Sequence, residues 1–292
     1  PILSSVVRKL TTPNENVLLL TPVYNIFYNS IVNNGRRPLE VPLTYADGAY
    51  GIDFAALEAG LADPQTAMMI LCNPHNPVGK LWDRETLAKI GALAARHHVV
   101  VVSDEIHCDL TDPGRDYVPF ASVSPECRDN CVVCFAPTKT FNLAGIQTAG
   151  AMVPNPFLRH KVWRALNTDE VAEPNVFAIP AAVAAYTKGD AWLDALRAYL
   201  YENKQTVYRF AQEHIPGLRA VRGEATYLVW LDCDAFCTDS EALAGDIRRK
   251  TGLYLSNGRQ YGRGGGRFLR MNVACPRATL LDGLERLRRA LV

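Results

Sequence analysis

The run VVVVSDEIHCDL, residues 99–110, sets four consecutive valines in front of a serine and two acids. β-Branched side chains pack well on a pleated surface, and an apolar run without polar alternation reads as a strand buried on both faces. Such strands belong to parallel sheets covered by helices. Four more runs share the character: NVLLLT (16–21), AMMILC (67–72), CVVCFA (131–136) and TAGAMV (148–153). Between them DRETLAKIGALAARHH (83–98) repeats apolar residues at helical spacing, with Asp83 placed as N-cap and basic residues at the far end to suit the dipole. The fold class is α/β, a mainly parallel sheet with helices on both faces.

After AEPNVFAIPAAVAAYTKG (172–189) a long helix is predicted from near Asp190 to about His214, followed by strands at TYLVWLD (226–232) and RFLRMNV (267–273) and helices at 240–250 and 278–291. The strict strand–helix alternation stops there. Residues 1–189 are therefore expected to form a large domain and residues 190–292 a smaller α+β domain.

The 292 residues are 48% hydrophobic and 21% charged, an ordinary globular composition with length enough for a sizeable core. A net charge of +1 offers neither the basic stripe that nucleic acid requires nor an acidic tail. No apolar run approaches the roughly 20 residues of a membrane span, and no charged-then-apolar leader opens the chain, so a soluble cytoplasmic protein with a small-molecule ligand is expected. The eight cysteines sit mostly in apolar stretches, where a free thiol behaves as a small hydrophobe, as suits a reducing compartment.

Three motifs invite other readings. Cys127, Cys131 and Cys134 resemble part of a zinc site, but the nearest C-terminal histidine is the distant His160, so no metal is expected. An apolar strand followed by Asp-Glu also suits the magnesium-binding strand of a P-loop nucleotidase. The Gly79-Lys80 pair, however, has Pro74 where the first glycine belongs and Leu81 where the hydroxyl belongs. YGRGGGR (261–267) lacks phosphate-cradle spacing and reads as a flexible loop.

What remains gathers at one edge. Asp104 falls at the carboxyl end of a central strand, where open α/β sheets place their ligand crevice. NPHNPVGK (73–80) follows another strand, with two X-Pro pairs that hold Asn73 and Asn76 extended. Lys139, in FAPTKTFNLAG (135–145), follows a third. Singly these are a helix cap, turn residues and a solvated charge. Together, an amine, a carboxylate and an amide are what an aldehyde cofactor with a ring nitrogen and a phenolic oxygen requires.

TPVYNIFY (21–28), NPHNPVGK, SDEIHCDL (103–110), PTKTFNLAG (137–145) and RMNVACPR (270–277), in that order, resemble the fold-type I pyridoxal-phosphate enzymes. Within them the similarity is to the cystathionine β-lyase-like carbon–sulfur lyases, relatives of the class I/II aminotransferases. The resemblance implies that Lys139 is the Schiff-base lysine, that Asp104 pairs with the pyridinium nitrogen, and that Asn76 bonds the phenolic oxygen. His107 would sit near that oxygen or serve as a packed core histidine. Tyr24 would lie over the cofactor ring, though core filling explains a tyrosine equally well, and Arg270 would grip the substrate α-carboxylate.

Many aminotransferase relatives have a hydroxyl three residues before the lysine and an arginine eight after it. Here those positions hold Ala136 and Gln147, which leaves Thr138 as a phosphate ligand beside the N-terminus of a helix at PILSSVVRKL (1–10). The resemblance implies pyridoxal 5′-phosphate, an amino-acid substrate, a homodimer, and elimination of a thiol to leave pyruvate and ammonia. Transamination is the alternative on the same residues, and a regulator-binding role without catalysis is a further one. Because the sequence starts at Pro1, a fragment lacking an N-terminal region is expected, with impaired cofactor binding.

Overall fold

The computed structural model describes residues 1–292. Helix α1 (Ile2–Leu10) leads into β1 (Asn16–Thr21), α2 (Ile26–Val32) and β2 (Arg37–Pro42), then a hairpin of β3 (Thr44–Ala46) and β4 (Ala49–Gly51). α3 (Phe54–Ala62) precedes β5 (Thr66–Cys72), α4 (Arg84–Arg96) precedes β6 (Val100–Asp104), and α5 (Pro125–Asp129) precedes β7 (Cys131–Phe135). The single turn α6 (Pro137–Thr140), β8 (Gly150–Met152), α7 (Pro156–Thr168) and α8 (Ala178–Lys188) follow. No helix is long and apolar enough to cross a membrane.

The large sheet has the order β2-β1-β5-β6-β7-β8 and is parallel except for the β7–β8 pair. Alternation within each strand sends side chains to two cores. Leu18, Leu20, Met69, Leu71 and Val101 meet α3 and α4 on one face. Val17, Leu19, Met68, Ile70 and Val102 meet α1, α2 and α7 on the other. This is the two-sided burial that uninterrupted apolar strands require. Cys131 and Cys134 belong to these opposite cores, so the three closely spaced cysteines do not converge on one point.

Two findings adjust the sequence reading. The run at 148–153 was expected among the parallel strands, but β8 lies antiparallel to β7. A parallel return needs a crossover that carries the chain back along the strand, whereas residues 136–149 hold only α6 and a 3₁₀ turn and stay at the carboxyl edge. Strand β2, RPLEVP, went unread because Pro38, Pro42 and its charges break the apolar pattern; it sits at the sheet edge, where proline is tolerated. Asp83 caps α4 as expected, accepting from the Thr86 N–H at 2.7 Å.

Helix α9 (Asp190–His214) opens the remainder, with β9 (Arg219–Val221), β10 (Leu228–Asp232), α10 (Ser240–Thr251), β11 (Ser256–Asn257), β12 (Phe268–Asn272) and α11 (Arg277–Leu291). These strands form an antiparallel sheet in the order β11-β12-β10-β9. Val229, Leu231, Leu269 and Met271 face a core shared with α9, α10 and α11. The opposite face carries Trp230, Phe268 and Val221 into the core of the large sheet. Trp230 stacks on Phe268 at 5.0 Å and donates to the Tyr50 hydroxyl at 3.0 Å, so the two layers lock through an aromatic plug. The glycine-rich stretch is anchored beside this junction, the Arg263 N–H donating to Glu40 at 2.7 Å.

Candidate active site

Each of four adjacent parallel strands delivers a candidate group just past its carboxyl end: Tyr24 after β1, Asn76 after β5, Asp104 and His107 at the end of β6, and Lys139 on α6 after β7. The strand order reverses between β1 and β5, and at such a switch point the loops part to leave a crevice. The crevice is a cavity of about 460 Å³ lined by Tyr24, Asn76, Asp104, His107, Lys139 and Arg270. Arg270 arrives from β12, so the site spans both layers.

Asp104 is buried, and its carboxylate accepts a bond of 3.3 Å from the Ile106 N–H. Burial pushes its pKa up to about 6, with Glu105 adding to the rise and the Ile106 N–H and Lys139 opposing it. The neighbouring Glu105 is committed elsewhere, accepting from the Ser103 hydroxyl at 2.8 Å and the Phe120 N–H at 3.0 Å. One acid thus braces the loop and the other is left to the cavity. A buried carboxylate so thinly bonded calls for a cationic donor, as a protonated ring nitrogen would be.

His107 packs edge-on to Tyr227 at 5.6 Å, and its Nδ1 is buried without a partner. Burial, with Lys139 and Arg270 nearby, lowers its pKa to about 3, so the ring is neutral. Asn76 accepts from Arg270 Nη1 at 3.1 Å through Oδ1, which leaves its NH₂ to donate into the cavity. Arg270 lies 4.9 Å over the Tyr261 ring and pairs with no carboxylate. A planar guanidinium held by an amide and a ring, with no acid beside it, suits a carboxylate ligand. Burial raises the Tyr24 hydroxyl, Arg270 opposing and Asp104 reinforcing the shift.

Pro1, Ile2 and Leu3 also line the cavity, so the N-terminus of α1, with no acid in its first turn, opens onto it. Unpaired N–H groups and the helix dipole suit an anion there. Thr138 does not line this cavity; it lines a second one of about 400 Å³ that shares Lys139. Gln147 is exposed in a left-handed turn and lines neither. Tyr227 and Asn272 line both cavities and went unread, because each lies within or beside an apolar strand that masks it. A larger cavity of about 680 Å³, lined by Lys80, Arg115 and Glu224 among others, holds none of the candidate groups.

The model of a family described as aminotransferase class I and II matches residues 2–287. The chain is 43% identical over 289 residues to cystathionine beta-lyase PatB of Bacillus subtilis, covering 99% of this chain and 75% of that protein. It is 33% identical to protein MalY of Escherichia coli, covering 99% and 74%. Among solved structures it resembles cystalysin of Treponema denticola, which contains a pyridoxal 5′-phosphate cofactor, at a TM-score of 0.97 and 32% identity, covering 100% and 74%. The chain thus spans about three quarters of each.

Proposed function

The chain belongs to the class I and II aminotransferase family, and on that premise we propose that it is a pyridoxal 5′-phosphate-dependent carbon–sulfur lyase acting on cystathionine or related S-substituted cysteines. The observation that carries this reading is the meeting of Lys139, Asp104, Asn76 and Arg270 in one cavity. The relative at 43% identity bears the name of such a lyase. The residues fit the cofactor, since Asp104 lacks a cationic partner, His107 Nδ1 lacks any, and an acid-free helix end faces the same space.

When bound, the cofactor supplies an electron sink for the pair left behind when the substrate Cα loses its proton. Lys139 would hold the cofactor through its aldehyde carbon, and its Nζ would be the base that takes the Cα proton of the substrate. Asp104 would hold a proton on the ring nitrogen, and that cation would keep Asp104 ionised. Asn76 donates to the phenolic oxygen, with His107 alongside as a neutral imidazole. Tyr24 covers the ring. The amides of α1 would take the phosphate; Thr138, the hydroxyl that the resemblance implied for it, lines the second cavity instead and is not proposed to join them.

Arg270 orients the substrate through its α-carboxylate and so fixes which Cα bond faces Lys139. With the Cβ–S bond broken, one water is consumed overall, and the products are a thiol, pyruvate and ammonium. A second copy of the chain is proposed to cover the exposed Phe157, Val176, Phe177 and Ile179, and a cytoplasmic setting is proposed from eight unpaired thiols. The deciding assay supplies cofactor and cystathionine without an oxo acid. Release of thiol and pyruvate is expected; turnover only on adding an oxo acid would make the chain an aminotransferase.

A further inference from the structure

The cavity of about 680 Å³ lies where the two layers meet and serves no step of the reaction proposed above. The β3–β4 hairpin and the turns at 78–80 and 112–115 form its large-layer wall, and α9 with residues 219–224 forms the other. Its lining holds four cationic side chains, Lys80, Arg115, Arg219 and Arg222, against three acids. Two of the acids are already taken. Glu224 lies between Lys80 at 3.8 Å and Arg115 at 3.5 Å, and Asp112 pairs with the fully buried Lys204. The third, Asp47, is exposed at the hairpin turn.

Arg219 and Arg222 are thus left without a carboxylate, on the edge strand β9 and directly after it. Arg222 lies 5.1 Å over the Tyr208 ring, whose hydroxyl accepts from the Gly223 N–H at 3.2 Å. Both arginines also line an adjoining cavity of about 360 Å³. A guanidinium laid on a ring with no acid beside it keeps its fork of N–H donors for a carboxylate or a phosphate.

Three short segments join this cavity to the one that holds Lys139. Asn76, His107 and Tyr227 line the Lys139 cavity, and Val78, Asp112 and Glu224, a few residues along the same segments, line this one. The segments are bonded to one another. The Glu224 N–H donates to the Gly79 carbonyl at 2.7 Å, the Asp112 N–H to the Glu224 carbonyl at 2.8 Å, and the Thr226 N–H to the Leu110 carbonyl at 2.7 Å. They are packed without slack, since a Cβ on Gly79 would meet the Gly223 Cα at 3.0 Å.

We infer that this interlayer cavity binds a small organic dianion, a dicarboxylate or a phosphomonoester, on Arg219 and Arg222, and that the ligand clamps the small sheet to the large layer. Arg219 and Arg222 belong to the small layer and Lys80 and Arg115 to the large one, so an anion among them adds a tie across the junction. The four cations converge only when the layers are docked, and a ligand that prefers the docked state shifts the population towards it. That state holds Arg270 at its 3.1 Å contact with Asn76. The effect on the substrate rests on the role proposed above for Arg270, whereas binding of the anion does not.

The test is calorimetric titration of succinate and of glycerol 3-phosphate into the cofactor-loaded chain, with sodium chloride at matched ionic strength as the control. Saturable binding is expected, and the tighter of the two identifies the class of dianion. Arg219→Ala combined with Arg222→Ala should weaken it about tenfold or more, as loss of charge-assisted bonds entails. With the ligand at saturation, KM for L-cystathionine should fall about fivefold, the lower end of ordinary coupling between sites, and the double variant should show no fall. No saturable binding, binding that survives the double variant, or a KM that rises because the anion competes at Arg270 would overturn the site. Binding lost in the variant with KM unmoved in the parent would overturn the clamp. Titration needs no turnover, so a chain that binds the anion through these arginines but releases no pyruvate would count against the lyase reading and leave the site standing.

Discussion

Lys139 owes the chemistry proposed for it to its address: α6 begins directly after β7, and the lysine lands between Asp104, Tyr227 and the two cavities. Lys139→Ala is expected to lose borohydride-trappable cofactor and elimination together, a fall in kcat of about 10³-fold or more, as removal of a nucleophile that is also the base entails. Normal pyruvate release by that variant would remove the lysine from the mechanism. The buried titratable groups make a second prediction, on stability in the cofactor-free chain. His75 and His107 have pKa values lowered by burial from 6.5 to about 4 and about 3. The unfolded chain therefore binds more protons than the native one across this window, and stability falls as pH drops from about 6.5 towards 4. Asp104, raised by burial to about 6, acts in the opposite sense, since it holds a proton in the native state that the unfolded state has lost above its ordinary value of 3.8. Asp104→Asn removes this opposing contribution. The gap between urea midpoints at pH 6.5 and pH 4.5 should widen in that variant, and a narrowed gap would show that Asp104 is ionised in the native cavity.

At the scale of the element, the N-terminus of α1 is the proposed phosphate site, which makes a carboxylate there informative. Ile2→Glu places an anion in the first turn, where it favours the helix by a few tenths of a kcal/mol to about 1 kcal/mol but competes with a phosphate. Because Ile2 also packs on the core beneath α1, thermal stability without cofactor should fall modestly, while the Kd for pyridoxal phosphate rises about fivefold or more; an unchanged Kd would move the phosphate elsewhere. The elements themselves were legible where the local signal and the tertiary demand agree. VVVVS, NVLLLT and CVVCFA are apolar on both sides because both sides are covered, and α9 spans Asp190–His214 as its periodicity indicates. The direction of β8 was not legible, because it depends on where the 136–149 connection goes rather than on the strand's own residues. Asn76, Asp104 and Lys139 could be placed in one crevice because parallel strands put their ends at one edge, whereas Tyr24 and His107 entered through the resemblance. Arg270 came only through resemblance, since nothing local distinguishes it from a surface arginine, and Tyr227 and Asn272 depend on how the second layer docks.

The whole molecule decides whether the proposed substrate half of the site exists at all. Lys139, Asp104, Asn76 and α1 belong to the large layer, whereas Arg270 rides on β12 of the small sheet and reaches Asn76 at 3.1 Å only when the layers are docked. Docking is held by Trp230 and Phe268 against Tyr45 and Tyr50, with Lys204 of α9 fully buried against Asp112 of the large layer as a second tie. Shortening the plug should therefore act unequally on the two ligands. Trp230→Ala is expected to destabilise the chain by about 3–5 kcal/mol, the usual loss for truncating a buried tryptophan. The milder Trp230→Phe keeps a ring but loses the bond to Tyr50 and should cost less. In Trp230→Phe the affinity for pyridoxal phosphate should stay near that of the parent chain, because its proposed contacts lie in the large layer, while KM for the amino-acid substrate rises several-fold as Arg270 loses its fixed distance from Asn76. Cofactor titration and steady-state kinetics on one preparation, with a urea midpoint to confirm folding, make the comparison. Equal losses of cofactor and substrate affinity would mean that the small sheet also shapes the cofactor cavity, and the division of labour between the layers would have to be abandoned.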